Sequence, residues 1–299
     1  RVEAGVLDAY HVSYVSNELL SVRSGKFPLV DFVAQYTSGM GYLFAGIDWL
    51  LPMSTVTNLF VFVTSVNFAI VTTVVLGIRW AWRSWSATVW PSLLFIAAVT
   101  FSARGHGLSP YPSIVNYWSL MPIRIAGIAF VVIGIVLLHE KALSWQREFG
   151  AGLVILIAAA VNVESASSVL LAFVGYLVAQ RGFDRRLAKS VLFFIGPTAA
   201  VLVGLAVLQH HLESICDPGC AVEFIRLFGG IGYYSADMPV VGLHLVLLTG
   251  FVLAATVGAR SLGISLDADG GRLDRIAAVS VGVSLYGIGA ASYYVNRSY

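Results

Sequence analysis

Residues 149–178 read FGAGLVILIAAAVNVESASSVLLAFVGYLV, an apolar run too long for one simple membrane crossing and broken once, at Asn162-Val163-Glu164. A membrane helix needs about 20 mostly apolar residues. Read as one helix, the run puts Lys141 and Arg147 on one side of a membrane and Arg181, Arg185, Arg186 and Lys189 on the other. Read as a helical hairpin, it puts both groups on the same side. The hairpin agrees with the clustering of cations on one membrane face. It predicts two arms of about 13–16 residues, roughly 20–24 Å at 1.5 Å per residue. That is shorter than a hydrocarbon core of about 30 Å. The tip with Asn162 and Glu164 is therefore expected below the far surface, inside protein or a water-filled cavity.

The rest of the chain agrees with a membrane reading. Of its 299 residues 58% are hydrophobic and only 11% are charged, and its mean hydropathy is +0.83. Sixteen acids and eighteen bases are too few to coat a soluble protein of this size, which carries roughly 25% charged residues. The apolar excess excludes disorder. A net charge of +2 without a basic stripe argues against nucleic-acid binding. Unbroken apolar runs favour helices over a barrel, whose strands would alternate with period two. The expected fold is all-α: a polytopic transmembrane helical bundle, residues 1–299 forming one domain, with an outward-facing amphipathic segment and the short-helix hairpin.

Further spans are expected at Val56–Ile78, Ala87–Phe101, Leu120–Leu138, Ala188–Leu208, Val240–Val257 and Ile276–Ser292. Arg79, Trp80, Trp82, Arg83 and Trp85 separate the first two as an interfacial anchor. The stretch 37–52, interrupted by Gly39, Gly41, Gly46 and Asp48, reads as interfacial or re-entrant. With that parity, Arg79, Arg83, Lys141, Arg147, Arg181, Arg185, Arg186, Lys189, Arg260, Arg272 and Arg275 share one side. The positive-inside rule makes it cytoplasmic. Both ends of the chain and the loops 103–119 and 209–238 then face outward. The polar opening from Arg1 leads us to expect an upstream span and a chain cut from a longer protein.

Polar residues on the outward side are the candidates for chemistry. Asp8 and His11 stand three apart, so on a helix they share a face. The spacing suits a metal pair or a carboxylate orienting an imidazole; it equally suits a capping Asp beside a solvated His. Arg124, in the first turns of a span, is costly there unless paired or facing a cavity. It reads as a guanidinium for phosphate or carboxylate, or as a side chain snorkelling to the surface. Glu164, with Asn162 beside it and Ser165, Ser167 and Ser168 following, reads as a substrate group or as an internal brace. Cys216 and Cys220 bracket a Pro-Gly turn and read as a small disulfide loop in an oxidising compartment. With His210 and His211 they match no strong zinc pattern. The glycine-rich 228–234 follows no strand and is no dinucleotide fingerprint. His244 reads as a core histidine, and Asp267-Ala268-Asp269-Gly270-Gly271 as a turn without the closing acid of a calcium loop.

Taken together the chain resembles the GT-C superfamily of integral-membrane glycosyltransferases, of the actinobacterial cell-envelope type. The likeness rests on Asp8 in what would be the first external loop, and on the surface helix after it. Gly25, Pro28-Leu29-Val30-Asp31 and Gln35-Tyr36 extend it. So do Pro122-Ile123-Arg124, the Asn162-Val163-Glu164 break and Tyr293-Tyr294-Val295-Asn296-Arg297-Ser298. His11 stands where the family often has a second acid, and Thr37 where a glycine often follows the tyrosine. The resemblance implies a polyprenyl-phosphate-linked sugar donor and a glycan, lipid or protein acceptor. It implies transfer on the extracytoplasmic face of a bacterial plasma membrane. Asp8 would be the base for the acceptor hydroxyl. Arg124 would stabilise the leaving phosphate, with Arg104 or Arg297 as substitutes. His11, Asn162 and Glu164 would contact substrate. The resemblance fixes no cofactor and leaves a divalent cation open. The rival readings are a transporter, which expects a midplane site reachable from both faces, and a scaffold without chemistry.

Overall fold

A computed structural model describes residues 9–28, 30–32, 39–100, 123, 125–139, 144–211, 243–265 and 272–295. For side chains at 9–15, 98–100, 205–206, 208–211, 243–244, 263–265, 272 and 291–295 only the backbone is described. These residues form ten helices: α1 Ala9–Arg23, α2 Gly39–Leu50, α3 Thr55–Trp82, α4 Trp85–Thr100, α5 Ala126–Leu138, α6 Trp145–Val161, α7 Val163–Arg181, α8 Arg185–His211, α9 Leu243–Ser265 and α10 Arg272–Val295. Among the described residues there is no strand.

Five helices are long and apolar enough to cross a membrane: α3, α7, and the segments Arg185–Gly204, Leu245–Leu262 and Leu273–Ala290 of α8, α9 and α10. The helix α5 and the segment Trp85–Ala97 are shorter apolar helices. Only 11% of the spanning windows of α8 and α9 is buried inside the protein. Trp49, Val56, Phe68, Trp90, Leu192 and Val246 are each more than half exposed. Apolar faces of this extent require hydrocarbon around them. The chain is an integral membrane protein.

The run 149–178 is folded back on itself. Asn162 stands between α6 and α7 with φ −161° and ψ 113°, an extended residue between two helices. Gly152, ten residues before it, and Phe173, eleven after it, both meet Phe194 of α8: Gly152 lies against the backbone at Phe193 and Phe194, and the Phe173 and Phe194 rings are edge to face at 5.9 Å. The two arms therefore run side by side, as a hairpin does. They are longer than the apolar run suggests, 17 and 19 residues. Trp145-Gln146-Arg147-Glu148 and Ala179-Gln180-Arg181 extend them as helix beyond the apolar stretch.

Side-chain pairs along the bundle fix its directions. Helices α6 and α8 run parallel, with Glu148 at Ser190 and Gly152 at Phe193. Helices α5 and α10 run antiparallel, with Gly127 at Tyr286 and His139 at Asp274. Helices α9 and α10 run antiparallel, with Gly258 at Ala277 and Gly287 at Phe251. Small residues at these crossings let the backbones approach closely, as membrane helices need. The largest core cluster, with Val131, Ile135, Phe173, Tyr176, Phe194 and Val281, sits between α5, α6, α7, α8 and α10.

These directions collect the described cations Arg79, Arg83, Arg147, Arg181, Arg185, Arg186, Lys189, Arg260 and Arg275 at one end, here the basic end. The starts of α3, α5 and α7 lie at the other end, with the α1–α2 pair. Helix α1 is more than a surface helix. Its Leu19 is buried with Phe44, Phe62, Val63 and Ile123, and its Val22 packs on Gly41. It stops in a Schellman motif: Gly25 has φ +88°, its N–H donates to the Val22 carbonyl, and the Lys26 N–H donates to the Ser21 carbonyl.

Candidate functional site

Asn162 ends one helix and starts the next. Its N–H donates to the Ala158 carbonyl at 2.7 Å, and its own carbonyl accepts from the Ala166 N–H at 3.0 Å. Its side-chain Oδ1 accepts from the Glu164 N–H at 3.0 Å. It is 2% exposed. A capping Asn satisfies backbone donors that a helix start leaves open. Glu164 stands in the first turn of α7, where the helix dipole favours a carboxylate. The Glu164 carbonyl accepts from Ser167 Oγ at 2.7 Å and Ser168 Oγ at 3.4 Å. Ser168 packs on Gly289 of α10, and Ala160 packs on Gly39 of α2. The break is thereby held between α10 and the start of α2.

Replacing Asn162 by Ala is expected to cost about 0.5–2 kcal/mol, the usual value of an N-cap. Asn162→Asp, which keeps the acceptor, should cost less. Thermal unfolding of the two variants in detergent checks the order.

The α1–α2 cap is pinned by a carboxylate that sequence reasoning treated only as an interruption. Asp48 is 9% exposed. Its Oδ1 accepts from Asn58 Nδ2 at 2.8 Å. Its Oδ2 accepts from Arg23 Nε, and from Thr55 Oγ1 at 3.5 Å. Asn58, fully buried, also donates to the Leu51 and Met53 carbonyls, each at 3.3 Å. One cluster thus ties the end of α1, the end of α2 and the start of α3. Asp48 and Asn58 lie ten residues apart in the sequence, beyond the reach of one helix face, so spacing carries no signal for this cluster. The Asn58 hydrogen bond, and after it that of Arg23, hold the Asp48 carboxyl below its ordinary 3.8. A depressed folded-state pKa contributes stability that is present above the unfolded value and lost as pH falls through the folded one. Amide exchange across residues 39–58 should therefore accelerate below pH 3.8 relative to an Asp48→Asn chain compared at each pH.

The basic end has its own polar latch. His139, just past α5, has Nδ1 2.9 Å from Tyr176 OH and Nε2 3.6 Å from Asp274 Oδ2. Its ring meets the edge of Trp80 at 5.2 Å, and the Arg275 guanidinium lies 5.0 Å from that indole's centre. Tyr176 is fully buried, so the latch joins α3, α5, α7 and α10 rather than opening to a substrate.

Of the residues singled out by sequence, Asn162 and Glu164 are together at the end opposite this latch. Ile123 and Ile125, the neighbours of Arg124, pack at the same end, against α1–α3 and beside Val161. Asp8, Arg104, Arg124, Arg297, Cys216 and Cys220 lie outside the described residues, as does the side chain of His11 on α1. Among the described residues no group of three or more His, Cys, Asp or Glu is placed to hold a metal ion. Comparison with protein-family models, curated proteins and solved structures finds no match to the chain.

Proposed function

We propose that the chain is a GT-C-type glycosyltransferase. It moves a sugar from a polyprenyl-phosphate donor to an acceptor on the extracytoplasmic face of a bacterial plasma membrane. The observation that carries this reading is the position of the Asn162–Glu164 break. It lies at an end of the bundle, beside the α1–α2 cap and opposite the basic end. A carrier would hold its broken helices near the midplane. By the positive-inside rule the basic end is cytoplasmic, so the break faces outward.

In this reading Asp8 takes the proton from the acceptor hydroxyl as its oxygen attacks the anomeric carbon. The bond from that carbon to the phosphate oxygen breaks, and polyprenyl phosphate leaves with its new negative charge opposite Arg124. Glu164, placed by the Asn162 cap, accepts hydrogen bonds from sugar hydroxyls. His11, three residues after Asp8 in the chain, contacts substrate in this reading. The test is transfer of labelled sugar from polyprenyl-phosphate donors by the chain in detergent, wild type against Glu164→Gln. A roughly tenfold to hundredfold loss of kcat/KM, the value of a hydrogen bond to a charged group, supports the reading. Full activity in Glu164→Gln removes Glu164 from it.

A further inference from the structure

The start of α8 carries a pattern that the transferase reading does not use. Arg185, Arg186 and Lys189 are all exposed. At 3.6 residues per turn, Arg185 and Lys189 share a stripe with Leu192 and Val203, which are 71% and 64% exposed. Ser190 and Phe194, on the opposite face, are fully buried. The stripe that faces hydrocarbon along α8 therefore begins in two cations. Helix α9 repeats this at the same end. Exposed Arg260 continues a stripe with Leu253 and Val257.

Among the described residues, the acids near the start of α8 make their contacts elsewhere than with Arg185, Arg186 and Lys189. The Asp184 carboxylate caps α8 by accepting from the Leu187 N–H at 2.7 Å. Glu148 accepts from Ser190 Oγ at 2.6 Å on the buried side of α8. Asp274 lies at His139 on α10. Phe183, 89% exposed between Arg181 and Arg185, adds an aromatic ring at interfacial depth, where such rings are favoured.

We propose that the start of α8, with Arg185, Arg186 and Lys189, binds the phosphate headgroups of acidic phospholipids. Lys189 stands one turn and Arg185 and Arg186 about two turns before Leu192 on α8, beyond the hydrocarbon-facing residues and at the level of a headgroup. The charge is complementary to an anionic leaflet. This inference stands apart from the transferase reading and does not need it.

The test uses the full chain in detergent, offered phosphatidylglycerol and phosphatidylcholine in equal parts, with retained lipid counted by native mass spectrometry. The wild type is expected to keep phosphatidylglycerol selectively, and to lose that selectivity as ionic strength rises. R185Q/R186Q/K189Q should reduce retention by about fivefold per cation removed at low salt, while R185K/K189R should hold it. Equal retention of the two lipids by the wild type overturns the proposal. So does selectivity that survives in the triple variant. So does displacement by inorganic phosphate at the lipid's own concentration, which would make this a site for free anions. If the triple variant does not fold, the salt titration of the wild type decides: salt-insensitive retention contradicts the assignment.

Discussion

If the chain is the proposed transferase with Asp8 as its base, an Asp8→Asn chain is expected to lose about a hundredfold to ten-thousandfold in kcat, the usual contribution of a positioned general base. Asn matches the size of Asp and keeps a hydrogen-bonding oxygen, but it cannot take a proton at neutral pH. The loss should fall on kcat and kcat/KM alike, because the proton moves only in the transition state. The KM for the polyprenyl-phosphate sugar should stay near its wild-type value. Steady-state transfer with labelled donor reads both constants. Unchanged kcat would mean that another group is the base. A raised donor KM with unchanged kcat would mean that Asp8 holds the donor instead.

The largest structural effect is expected at Gly152. A Cβ there would fall on the Phe193 carbonyl oxygen, which is backbone and cannot rotate away. In Gly152→Val, α6 and α8 must move apart. The Phe173–Phe194 ring contact at 5.9 Å and the Ser190–Glu148 hydrogen bond at 2.6 Å would loosen with them. Overpacking of this kind costs typically about 1–3 kcal/mol and sometimes more. Here the clash is with main chain rather than with a flexible side chain, so the upper end or beyond is expected. Gly150→Ala, two residues away, is the matched comparison: its new Cβ would meet only Leu137 Cδ1, at 3.6 Å. That variant should be neutral or slightly stabilising, since Ala is the better helix former. Thermal unfolding in detergent separates the two. Equal melting temperatures would contradict the close α6–α8 crossing.

Much of this architecture is legible in the residues because lipid imposes a simple code. Apolar length marks the helices, and clustered Arg and Lys mark their common end. The 149–178 hairpin was readable from a single polar break plus the placement of the flanking cations. The structure folds it at Asn162, with both arms against Phe194. The arm lengths were not readable, because Trp145–Glu148 and Ala179–Arg181 are polar or interfacial yet remain helical. Hydropathy sees only the apolar part of a helix.

The Asp48–Asn58–Arg23 cluster was not legible either. Its members are 25 and 10 residues from Asp48 along the chain, and spacing rules reach only one or two turns of the same helix. The same holds for His139, Tyr176 and Asp274, which three different helices bring together. At the candidate site, Asn162 was weighed as a substrate group beside Glu164. The structure shows a local duty for it, the cap between α6 and α7. That duty explains why an Asn stands there and gives Glu164 its fixed place.

The central claim is that a lipid-linked sugar binds at the end of the bundle bearing the Asn162–Glu164 break. The most direct test is photolabelling of the chain in membranes with a polyprenyl-phosphate sugar that carries a diazirine on the sugar, followed by peptide mapping. The account predicts label within 160–168 and around 123–126, competed by unmodified donor, and none within 181–190. Competable label at the 181–190 corner, or no competable label at all, would contradict it.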